Sequence, residues 1–178
     1  MEKTVRIKTE AKVTSKNNKK TGAPKHIAIK GAKGATVTAK SRPDIFFSYN
    51  TTDDKDVLAI IEVVRNGVSI NDFNKIVVDT PFSLTEWANY LQLSERTIQR
   101  NQKEKKPFQQ IQSERIVEVS MLYKYGVEVF GEKDNFDTWL TSRSISLGGR
   151  IPKELLDTKF GISMVKDELG RIEHGILA

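Results

Sequence analysis

From residue 54 onward, apolar positions recur at intervals of three and four rather than two. Val57, Ile60, Ile61 and Val64 form the first such set, and Gly67 stands where a helix would stop. Ser69 opens a second segment: Ser69-x-x-Asp72 has the spacing of a capping box, with Val68 and Phe73 at the staple positions. This helix is expected to run to about Val78 and end before Pro81. Ser83-x-x-Glu86 repeats the device with Phe82 and Trp87, and Ser94 caps a fourth helix with Leu93 and Ile98. Beyond the boundary at Pro107, a longer helix is expected from Ser113. Ile116, Val119, Tyr123, Val127 and Phe130 would line it, and Gly131 would end it. A short helix around Phe136–Leu140 carries Trp139. Residues 144–150 read as a turn around Gly148-Gly149, and Pro152 suits the first turn of another short helix. Val165, Leu169, Ile172 and Ile176 share one face of a final helix. The fold class is therefore mainly α.

One pair of these helices stands out. Leu84–Leu91, a two-residue break, and Ser94–Arg100 give a short helix, a tight turn and a second helix, as in a helix-turn-helix. Ala88 is small where the two must approach, and Leu91, Leu93 and Ile98 can fill the space between them. The turn lacks the usual glycine. Gln92 stands there, and a left-handed conformation at a non-glycine residue costs roughly 1 kcal/mol. Ser94, Glu95, Arg96, Thr97, Gln99, Arg100 and Lys103 are the candidate DNA-binding residues. Arg reads guanine and Gln reads adenine in the major groove, while Thr97 suits a phosphate or a thymine methyl. Lys103, Lys105 and Lys106 suit phosphates. The competing reading is an ordinary amphipathic helix with a solvated charged face.

Charge separates the chain into two parts. The formal net charge is +6, yet residues 1–42 hold twelve Lys or Arg against two Glu, so the basic character belongs to this stretch. With its Lys, Thr, Ala and Gly content it reads as a flexible basic arm, with only a weak strand hint at Val5 and Ile7. Two roles stay open for it, a solubilising leader and a non-specific DNA contact. The boundaries that follow are 1–42 for the arm, 43–110 for a helix-turn-helix domain and 111–178 for a second helical domain.

Enzyme chemistry finds little support. There is no cysteine, and the two histidines, His26 and His174, lie far apart in sequence. A zinc site, a Cys–His pair or a Ser-His-Asp triad has no surrounding motif. Leu147-Gly148-Gly149-Arg150 lacks the ending of a phosphate loop and reads as a turn. No cofactor is expected. No apolar run approaches a membrane span, and no apolar stretch follows the charged N-terminus as in a secretory signal, so a cytoplasmic location is expected.

The second half carries a more specific pattern. Ser113-Glu114-Arg115, Val129-Phe130-Gly131, Trp139-Leu140 and Leu147-Gly148-Gly149 follow one another in order. Pro152, Leu155-Leu156-Asp157-Thr158, Gly161, Val165, Leu169 and Arg171-Ile172-Glu173-His174-Gly175 complete the set. In order and spacing this resembles the toxin-binding domain of the Xre/MbcA/ParS family of antitoxins. That family carries an Xre-like helix-turn-helix just upstream, which Leu93–Arg100 matches.

The resemblance implies a type II toxin–antitoxin system. Its partner would be a cognate RES-domain toxin that acts on NAD, whose NAD site the antitoxin obstructs. The resemblance also implies a homodimer that binds operator DNA and represses its own operon. Arg150, Arg171, Ile172, Glu173, His174, Ile176, Leu177 and Ala178 are the candidate toxin-binding residues, since an apolar chain end suggests a partner. The alternative is a stand-alone helix-turn-helix regulator whose C-terminal domain only dimerises.

Overall fold

The computed structural model describes residues 47–49 and 53–176. The arm at 1–42, with its strand hint at Val5 and Ile7, lies outside the described residues, as do Leu177 and Ala178. The described residues all belong to one compact unit.

Among the described residues there are seven α-helices and no strand: α1 (Asp54–Asn66), α2 (Ile70–Asp79), α3 (Leu84–Tyr90), α4 (Glu95–Glu104), α5 (Gln110–Phe130), α6 (Lys133–Thr141) and α7 (Lys159–Glu173). A 3-10 turn spans Pro152–Leu155. The helix starts are set locally. Asp53 and Ser83 make full capping boxes with Asp56 and Glu86. Ser69, Ser94 and Thr158 each accept the N–H three residues on. The device at Ser69 is only half a box, because the Asp72 carboxylate accepts from the Ser69 hydroxyl at 2.6 Å.

The core is continuous and α5 runs through it. α1, α6 and α7 all pack on this helix. The sequence pattern assigned α5 one apolar face, but Val117, Ser120, Met121, Leu122, Tyr125 and Gly126 are buried as well. A helix covered on several sides needs apolar or small residues all round. The helix also starts at Gln110, earlier than expected, so Ser113 is no cap. Its buried hydroxyl accepts the Val68 N–H at 2.8 Å and donates to the Phe108 carbonyl at 3.2 Å. Arg115 therefore stands clear of the helix start, and it pairs with Glu118 at 3.3 Å. In α1, Val64 is buried, whereas Val57 and Ile61 face outward with Leu58. Among the described residues, α5 is the main neighbour of this helix and covers Val64 more fully than Val57, Leu58 or Ile61.

The remaining packing is aromatic. Trp87 is fully buried, with the rings of Phe73, Phe82 and Tyr90 at 5.3, 5.7 and 5.9 Å. Phe130 and Trp139 pack around Phe136 at 5.6 and 5.8 Å but are only partly buried themselves, as is Leu155. No described helix is long and apolar enough to cross a membrane.

Candidate DNA interface and partner surface

α3 and α4 meet through a turn whose geometry fits a helix-turn-helix. Gln92 takes φ +52°, the left-handed conformation that its position at the turn predicts. The Leu93 N–H donates to the Ala88 carbonyl at 2.9 Å, which closes the turn. Ala88, Leu91 and Ile98 are buried, and Leu93 is partly so.

On α4, Arg96, Gln99, Arg100 and Lys103 are all exposed. At 100° per residue they fall within about 100° of one another, opposite buried Ile98. Three of the other candidates are engaged within the fold. Ser94 and Thr97 place their hydroxyls 2.8 Å apart, and Thr85 donates to the Glu95 carboxylate at 2.6 Å. Gln102 donates to Asn74 at 3.0 Å, tying α4 to α2. The exposed cationic face is thus held at a fixed angle by the helices behind it.

The helix-turn-helix is also bonded to the C-terminal half. The Tyr90 hydroxyl donates to the Lys153 carbonyl at 2.9 Å, and the Lys153 ammonium sits 2.8 Å from Glu86. Burial works against the Glu86 charge, but hydrogen bonds from Lys153 and Ser83 hold its carboxyl below the ordinary value of 4.5.

The toxin-binding candidates divide in a similar way. Arg150, Ile172, His174 and Ile176 are exposed. Arg171 donates through Nε to Glu168 at 2.8 Å and also through Nη2, and Glu173 accepts from the Tyr125 hydroxyl at 2.8 Å. Burial pushes the Tyr125 phenol up to about 12, so it is a neutral donor at physiological pH. One expectation is corrected here. Ile176 does not continue the α7 face, because the helix ends at Glu173 and Gly175 takes φ +65°. The left-handed glycine turns the chain out of the helix axis, and Ile176 follows it 58% exposed.

Within residues 126–175, Ile145, Phe160 and Met164 are exposed apolar side chains that escaped the sequence pattern. The available signal was negative. Phe160 and Met164 stand off the helical face marked by Ile162, Val165 and Leu169, which is buried. No cluster of His, Asp or Glu suited to a metal occurs among the described residues.

Known proteins match both halves. Residues 59–120 match the antitoxin Xre-like helix-turn-helix domain. Residues 126–175 match the antitoxin Xre/MbcA/ParS C-terminal toxin-binding domain. Antitoxin Xre of Yersinia enterocolitica is 27% identical over 120 residues, 67% of this chain and 81% of that protein. Prs ADP-ribosylating antitoxin of Sphingobium sp. is 27% identical over 141 residues, 74% of this chain and 89% of that protein. Antitoxin Xre of Photorhabdus laumondii is 27% identical over 117 residues, 65% and 79% of the two chains. The helix-turn-helix closed at Gln92, the helical domain joined to it through α5 and the two matches in tandem lead to one conclusion: the chain belongs to the Xre/MbcA/ParS family of antitoxins.

Proposed function

We propose that this antitoxin binds a toxin with a RES domain and blocks its NAD site, and that as a homodimer it represses its own operon. DNA reading falls to 43–110 and toxin binding to 111–178, with the basic arm at 1–42 adding contacts to phosphates. Both partners belong to the cytoplasm. The observation that carries the reading is the tandem arrangement. An exposed row of Arg96, Gln99, Arg100 and Lys103 stands on the second helix of a helix-turn-helix. At the other end, exposed Ile176 follows Gly175 out of a domain of the toxin-binding type.

Occlusion needs a segment that can enter a pocket, and Ile176 is presented clear of the helix axis. A dimer fits the helix-turn-helix because one such helix covers only a half-site. The chain carries regulation, not catalysis, in this reading: its relatives are antitoxins. The test is co-expression with the protein encoded beside it, followed by assay of NAD consumption. Full-length chain is expected to suppress consumption, and a chain lacking 176–178 to release it. Failure of the full-length chain to bind that protein would leave the stand-alone regulator as the reading.

A further inference from the structure

Ile145 is 95% exposed, yet the loop that carries it is tightly fixed. Ser144 N–H donates to the Arg150 carbonyl at 3.0 Å, and Gly149 N–H to the Ser144 carbonyl at 2.8 Å. Arg143 donates to the Gly149 carbonyl at 3.0 Å. Below the loop lies the carboxylate of Glu168, a residue only 6% exposed. It accepts from the Ser146 hydroxyl at 2.5 Å and from Arg171. A buried carboxylate is costly unless fully bonded. Here it fastens the loop to α7, and the apolar residue next to Ser146 is left pointing into water.

The same side of α7 carries exposed apolar side chains beside the charges of Asp167 and Arg171. Phe160 is 91% exposed and Met164 45%. At 100° per residue, Phe160, Met164 and Arg171 lie within about 40° of one another, and Glu168 falls beside them. The Ser146–Glu168 bond ties the loop that carries Ile145 to α7 at Glu168. The backbone beside Phe160 is fixed in place. A Cβ on Gly161 would lie 1.8 Å from the Leu155 carbonyl oxygen, so the start of α7 is seated hard against the 3-10 turn.

We infer that Ile145, Phe160 and Met164, with Arg171 at their edge, form the surface on which the toxin docks, apart from the chain end that reaches its NAD site. This rests on the antitoxin reading. The toxin is the occupant because the surface lies within 126–175, the residues matched as a toxin-binding domain. A second argument is its rigidity. Ordering side chains and loops opposes association, and an apolar surface ordered in advance escapes that cost. The partner face it fits is mainly apolar.

The test uses the full chain and the purified toxin encoded beside it, with binding measured by interferometry. Phe160→Ser with Met164→Ser, and Ile145→Ser separately, remove exposed atoms, so melting temperature should stay within a few degrees. The double variant is expected to weaken toxin binding about 30-fold or more, as loss of central anchors does. Val78→Ser on α2, which removes a side chain 83% exposed elsewhere, is expected to leave affinity within about twofold. Unchanged affinity in the double variant overturns the docking surface while the antitoxin reading stands. Equal loss from Val78→Ser also overturns it, as does a changed oligomeric state with toxin affinity intact. No binding by the unaltered chain overturns both.

Discussion

The N–H of Val68 donates to the hydroxyl of Ser113 across 45 positions of sequence, at 2.8 Å and out of contact with water. The same hydroxyl donates to the Phe108 carbonyl, and the Phe108 N–H returns to the Val68 carbonyl at 3.0 Å. One serine thus joins the turn between α1 and α2 to the start of α5. Ser113→Ala would leave a buried N–H without a partner, at about 1–3 kcal/mol. Urea denaturation should show this loss with an unaltered slope. Stability equal to wild type would mean that the N–H finds another acceptor.

The exposed row on α4 makes a prediction about DNA. Arg96→Ala or Arg100→Ala should cut affinity for the chain's own promoter by about 1–3 kcal/mol and narrow its preference over random DNA. Lys103→Ala should instead weaken all sequences alike and lower the salt slope by about one. Titrations of promoter and scrambled duplexes at several salt concentrations separate the two behaviours. Preserved discrimination in both Arg variants would remove them as base readers.

The Glu86–Lys153 pair gives a pH dependence with a definite sign. The folded carboxyl titrates below its ordinary 4.5, so the folded state holds its proton less tightly than the unfolded chain. That contribution is complete above about 4.5 and is lost as the pH falls through the lower folded value. Glu86→Gln should therefore be less stable than wild type near pH 7, and the gap should narrow as the pH falls below 4.5 and through the lower folded value. Denaturation at pH 7, 5 and 3 measures it, and a constant gap would assign the effect to the cap alone.

Gln92 holds a left-handed turn that glycine adopts without strain. Gln92→Gly should stabilise the chain by up to about 1 kcal/mol, because relief of the side-chain clash exceeds the added freedom of the unfolded state. Thermal melts check this, and promoter affinity should not change.

Gly126 shows the opposite case. A Cβ there would lie 2.1 Å from the Phe136 ring, so α6 packs against bare backbone of α5. Gly126→Ala should destabilise by about 1–3 kcal/mol despite alanine's better helix propensity. Adding Phe136→Leu should recover part of that loss, which a double-mutant cycle would detect.

The sequence by itself determined where the first four helices begin and where the helix-turn-helix lies. Capping at Ser83 and Ser94 acts over three residues, and the strained turn at Gln92 follows from its place between two short helices. Such signals survive in a one-dimensional reading because both partners are close along the chain. Tertiary structure alone decided which apolar positions are covered. Val64 and Ile61 share the α1 pattern, yet only Val64 is buried, because α5 reaches one side of that helix. Ser113 looked like a helix start and became a bridge to Val68, since its partner arrives from 45 residues away. Ile145 and Phe160 are apolar and exposed because distant groups, Glu168 below the loop and Leu155 beside Gly161, hold their backbones where they are. Burial depends on which elements meet, and periodicity within one helix carries no information about its neighbours.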